Sequence, residues 1–160
     1  MAPWALDPCN PTAYPSDQRR TAMRSLQRSG PEFAESLQLA LYADASTAAS
    51  VLAEFTSALN RCRDTSPDGG TTHWIWTSED LDMSDGGVIA ILRYEVDGLQ
   101  ALGSQYVAAY RTGNAIVMRS SSGEGLPQAG RPDPARDAFL ASVDRTRARV
   151  CDLVLCGDGR

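Results

Sequence analysis

The stretch 44–62, DASTAASVLAEFTSALNRC, constrains the fold more than any other part of the chain. Ala48, Val51, Leu52, Phe55, Leu59 and Cys62 recur at steps of three and four residues, which draws one apolar stripe along a helix. Asp44 or Ser46 is placed to cap it, because a short oxygen side chain accepts an orphan N–H of the first turn. Such a stripe must be buried against a partner surface. The flanking segments alternate with period two, and strands of that kind supply one.

Upstream, FAESLQLALYAD sets Leu37, Leu39 and Leu41 on one side and Gln38, Ala40 and Tyr42 on the other, the pattern of a half-buried strand. Residues 18–28 fit either a short helix or a strand, and the short SGPE turn after them favours a hairpin of 19–28 with 33–43. Pro3, Pro8, Pro11 and Pro15 make residues 1–15 an extended arm that Cys9 anchors. Downstream, THWIWTS sets His73 and Ile75 against Trp74 and Trp76 as a strand. VIAILRYEV is a second strand, and residues 97–104 read as a glycine-containing loop. QYVAAYRTGNAIVMRSSS is a hairpin turning at Gly113-Asn114. After a long polar loop, Asp133-Pro134 opens a second helix with Phe139, Leu140, Val143, Val150 and Val154 in a stripe.

The expected fold is α+β: a mostly antiparallel, twisted sheet of about five to six strands with two long helices packed on one face. Residues 1–18 form the arm, 19–156 a single domain and 157–160 a tail.

Charge and cysteine usage bear on function. The 160-residue chain carries a net charge of −5, which argues against a nucleic-acid surface. All fifteen cations are arginine, which suits either a GC-rich genome or an anion-binding surface of forked guanidinium groups. No apolar run reaches the length of a membrane helix. Cys9, Cys62, Cys151 and Cys156 form no CxxC pair, and His73 is the one histidine, so two disulfides fit better than a zinc site. Three pairings are open. Cys9–Cys62, with Cys151–Cys156 pinning the tail, is preferred. Disulfides imply an extracytoplasmic site. MAPWALDPCN has no signal-peptide character, so that placement expects a leader or anchor outside this chain.

Catalytic motifs are missing. His73 has no nucleophile motif beside it, and no phosphate-cradling loop follows a strand. The acidic run Glu79, Asp80, Asp82 and Asp85 offers carboxylates for a hydrolase or for calcium, without the spacing of an EF-hand. A grouping of arginines with aromatic rings is more suggestive: Trp74, Trp76, Arg93, Tyr110 and Arg111 are the candidate lining of a cleft that stacks rings and reads a polar or anionic ligand. Arg119 and Tyr106 lie in the same sheet region.

The helix ending SALNRC, the strand pair QYVAAYRTGNAIVMRSSS and the helix FLASVDRTRARVC resemble, over roughly residues 19–156, the extracellular sensor domains of the PknH-like mycobacterial kinases and related actinobacterial lipoproteins. The resemblance implies helices on a twisted antiparallel sheet, two disulfides, a ligand cleft and a surface-exposed or secreted protein. The expectation is therefore a non-enzymatic, extracytoplasmic, ligand-binding or sensor-like domain. It would have no cofactor and no metal, and its partner would be a small polar or anionic ligand or a protein. The alternatives are a secreted protein-interaction module, with an uncovered sheet face bearing Ile89, Ile91 and tryptophan residues, and a hydrolase built on the Glu79–Asp85 carboxylates.

Overall fold

The computed structural model describes residues 4, 8–9, 14–67, 69–124 and 132–151. The elements run β1 (Arg20–Gly30), β2 (Phe33–Tyr42), α1 (Ala45–Arg61), β3 (Asp64–Thr65), β4 (Thr72–Asp80), β5 (Gly87–Val96), β6 (Leu99–Thr112), β7 (Ala115–Gly123) and α2 (Pro134–Cys151), with a 3-10 turn at Pro15–Arg19 before β1. The α+β class stands. The strands form one antiparallel sheet in the order β1-β2-β7-β6-β5-β4-β3, so there are seven strands where five to six were expected. The two-residue β3 is the easiest to overlook, since it is too short for any periodicity.

Topology follows from α1. The β1–β2 hairpin lies at one edge of the sheet. α1 then crosses the sheet, packing on β2, β7, β6, β5 and β4, and delivers the chain to the far edge. From there the strands meander back until β7 pairs with β2, Leu39 facing Val117. Asp44 caps α1: its side chain accepts from the Thr47 N–H at 2.7 Å and from the Ser46 hydroxyl at 2.7 Å.

The Ser46 hydroxyl and the Thr47 N–H hold the Asp44 carboxyl down at about 2. A carboxyl depressed in the folded state contributes stability that is complete above its ordinary value of 3.8 and is lost as pH falls through about 2. Asp44→Asn should therefore flatten the acid limb of the melting temperature across that window. An identical acid limb in the variant would show that the cap adds no pH-dependent stability.

The helices do not share a face. Ala48, Val51, Phe55, Ala58 and Leu59 of α1 are buried with Ala40, Trp76, Val88, Ala90, Leu92, Val107, Ala109, Ile116 and Met118. Phe139, Val143 and Val150 of α2 are buried with Ile89, Tyr106, Ala108, Tyr110 and Val117. Neighbouring strand residues alternate between the two clusters, so α1 covers one face and α2 the other. The reason is in the central strands. VIAIL, YVAAY and AIVM are apolar on both sides, and a two-faced apolar strand must be covered twice. The second face is accordingly not uncovered: Ile89 is buried beneath α2 and Ile91 is half-buried there.

Residues 97–104 are not a loop. Asp97 and Gly98, with φ of 53° and 75°, form a two-residue hairpin turn, and β6 begins at Leu99. Gly103 (φ 97°) lies on the β6 stretch opposite the register shift at Arg93/Glu95. The Cys9–Cys62 disulfide is present and ties the arm to the end of α1. Trp4 and Tyr14 from the arm are buried in the α1 cluster. The Cys151–Cys156 pairing lies outside the described residues. Among the described residues no helix is long and apolar enough to cross a membrane.

Candidate functional site

The five candidate residues do not meet in one cleft. Trp76 is buried and Trp74 half-buried in the α1 cluster. Arg111 also lies on that side, lining a trough with Ala49, Leu52 and Thr56. Its guanidinium donates to the Asp85 backbone oxygen at 3.1 Å and the Gly113 backbone oxygen at 2.9 Å, and it pairs with the Asp85 carboxylate at 3.5 Å. Tyr110 is fully buried on the α2 side. Arg93 shares that side by alternation with Ile89 and Ile91. The aromatics thus serve two cores, and Arg111 braces a turn.

The acidic run is divided in the same way. Glu79 pairs with Arg136 of α2. Asp85 accepts the Gly113 N–H at 2.8 Å in addition to holding Arg111. Asp80 and Asp82 are exposed. Among the described residues, no group of three His, Cys, Asp or Glu is arranged to hold a metal. His73 lies next to the sheet edge with Nδ1 2.8 Å from Asp64 Oδ1.

A different site emerges beneath the C-terminal half of α2. The helix starts over β6, where Asp133 caps it by accepting the Arg136 N–H at 3.1 Å and receives the Tyr106 hydroxyl at 2.7 Å. Between its Ser142–Val150 segment and β7, β2 and β1 lies a cleft of about 450 Å³. Strand register sets its floor. Leu26 faces Leu37, and Leu37 faces Arg119. Arg24 faces Leu39, and Leu39 faces Val117. Each of these two cross-strand rows thus sets one arginine at an end and two apolar side chains beside it, under Arg145, Arg149 and Val150 of the helix.

The electrostatics of this cleft oppose those of the whole molecule. The chain is net acidic, yet among the described residues the lining holds four arginines and no carboxylate. Among the described residues, the one ion pair these four make is Arg119 with Glu35, at 3.8 Å. Glu35 is also engaged by Arg28, which donates to it at 2.8 Å and holds its carboxyl below the usual range, Arg119 contributing less. Among the described residues Arg119 Nε is buried without a partner. So is the Tyr110 hydroxyl, on the residue facing Val117. Burial pushes that hydroxyl up to about 12, against the opposing pull of Arg119 and Arg147. A buried polar atom without a partner costs about 1–3 kcal/mol, and of these two Arg119 Nε belongs to a residue that lines the cleft.

Of the sheet residues grouped from the sequence, Arg119 lines this cleft and Tyr110 does not. Sequence reasoning missed Arg24, Leu26, Leu37, Leu39, Arg145 and Arg149 as one site. Leu37 and Leu39 carry in the sequence only the alternation of an ordinary half-buried strand. Only the pairing of β1 with β2 and β2 with β7 brings the site together.

No family model and no curated protein matches the sequence. Among solved structures, the chain is similar to the extracellular domain of PknH from Mycobacterium tuberculosis, with a TM-score of 0.55 and 15% identity over 71% of this chain. The match spans 61% of that chain, and at this identity it establishes a shared fold.

Proposed function

We propose that this chain is an extracytoplasmic, non-enzymatic ligand-binding domain of sensor type, with its ligand held between α2 and β1–β2–β7. The observation that carries the reading is the cleft itself. Its volume falls within the roughly 300–1,000 Å³ range of small-molecule sites, and apolar residues line it with a few convergent polar groups. The Cys9–Cys62 disulfide supports an oxidising compartment. The fold shared with an extracellular domain supports the same placement.

Native mass spectrometry of protein isolated from its own host tests this, beside a denatured, non-reduced mass. The expected result is a small-molecule adduct on a disulfide-bonded chain. Resupplying that molecule at about 100 times its Kd should stabilise the stripped protein by roughly 2.7 kcal/mol. A clean, unliganded mass with no stabilisation by envelope extracts would sink the reading.

A second reading, a protein-interaction module, is favoured by one observation. Leu99 and Leu102 are 74% and 76% exposed at the β5–β6 hairpin tip. A protein that co-purifies with the wild type and is lost with Leu99→Ser/Leu102→Ser would favour it.

A further inference from the structure

We infer that the cleft takes a small amphiphilic anion, a phosphate- or carboxylate-type head on an apolar tail, a claim that rests on the ligand-binding reading above. The lining divides by chemistry. Arg24, Arg119, Arg145 and Arg149 supply forked donors suited to a planar or tetrahedral oxyanion. Leu37, Leu39, Val117 and Val150 supply an apolar floor. Leu26 is 69% exposed at its open end, an apolar surface that a tail leaving the cleft would cover.

A simple anion would use the arginines and leave the floor wet. A neutral apolar ligand would fill the floor and leave the four arginines around it without a counter-charge. Only a ligand bearing both parts satisfies both. Arg119 supports the place of the head group: among the described residues its Nε has no partner and its one ion pair, with Glu35, is 3.8 Å long.

The test compares three probes at concentrations where each is monomeric: octyl phosphate, octyl glucoside and inorganic phosphate. Calorimetry reads affinity, and the methyl NMR signals of Leu37, Leu39 and Val117 report whether the cleft is occupied. Octyl phosphate should move those methyls and bind about 10-fold to 100-fold more tightly than either other probe, as one or two hydrogen bonds to a charged group supply. Arg145→Gln with Arg149→Gln, both at exposed helix positions, should bring its affinity down to that of octyl glucoside. Added salt should weaken octyl phosphate and leave octyl glucoside unchanged.

Equal binding of octyl glucoside, or of inorganic phosphate, would overturn the ligand class while leaving a binding cleft in place. If none of the three moves the methyls but the adduct from the host does, the class also fails and the cleft stands. If the adduct does not move them either, both fail. Phosphatidylglycerol vesicles identify the source. Vesicle binding displaced by octyl phosphate means a membrane lipid, octyl phosphate binding without vesicle binding means a free amphiphile, and both uphold the class.

Discussion

Replacing Cys9 and Cys62 together by serine should lower the melting temperature by on the order of 10 °C. The cross-linked residues are 53 apart, and a loop of that length restricts the unfolded chain by about 4 kcal/mol on the chain-entropy account. In a domain of this size each kcal/mol moves the midpoint by roughly 2–4 °C. The loss should concentrate in the arm. Trp4 and Tyr14 are buried against the α1 cluster, and the Arg20 guanidinium lies 5.6 Å from the Trp4 ring centre. Without the disulfide, those contacts must hold the arm against its chain entropy alone. Reductant added to the wild type should reproduce the drop and move the serine variant much less. A wild type that melts at the same temperature with and without reductant would show that packing holds the arm unaided. It would also remove the main support for an oxidising compartment.

The arm also shows where the sequence could be read and where it could not. Local signals were sufficient for the helices, because caps and stripes are written within a few residues: Asp44 and Asp133 both cap as their positions required. The Gly113-Asn114 turn was legible for the same reason. The Asp97-Gly98 turn carried the same chemistry but was overridden by reading the polar and glycine residues around it as a loop. What local patterning cannot supply is the pairing of β7 with β2, which joins residues about 80 positions apart. The cleft exists only through that pairing, so its leucine and arginine rows were invisible as a unit. The two-sided apolar character of β5, β6 and β7 was on the page of the sequence. It should have placed the helices on opposite faces, and it would have separated Trp76 and Arg111 from Arg93 and Tyr110.

Phe55→Ala should destabilise the protein by about 3–5 kcal/mol, as truncating a buried aromatic ring does. Phe55 is 3% exposed and its ring lies 6.3 Å from that of Tyr14, so it joins α1 to the arm as well as to the sheet. Phe139 provides the control. It is buried to a similar degree, but on the opposite face, against Tyr106 at 5.8 Å. Measured alone, the two alanine variants should lose similar amounts. Measured in the Cys9→Ser/Cys62→Ser background they should diverge. Loosening the arm already weakens the Tyr14–Phe55 contact, so Phe55→Ala should then cost less than it does alone, by about 0.5–3 kcal/mol. Phe139→Ala should cost the same in both backgrounds, because the sheet separates it from the arm and the two share no partner. Denaturant midpoints of the six proteins in the two cycles decide the matter. Additivity at Phe55 would mean that the arm and α1 are not energetically joined. Coupling at Phe139 would mean that the two faces of the sheet are not independent, and that disturbing the arm reaches the α2 side where the cleft lies.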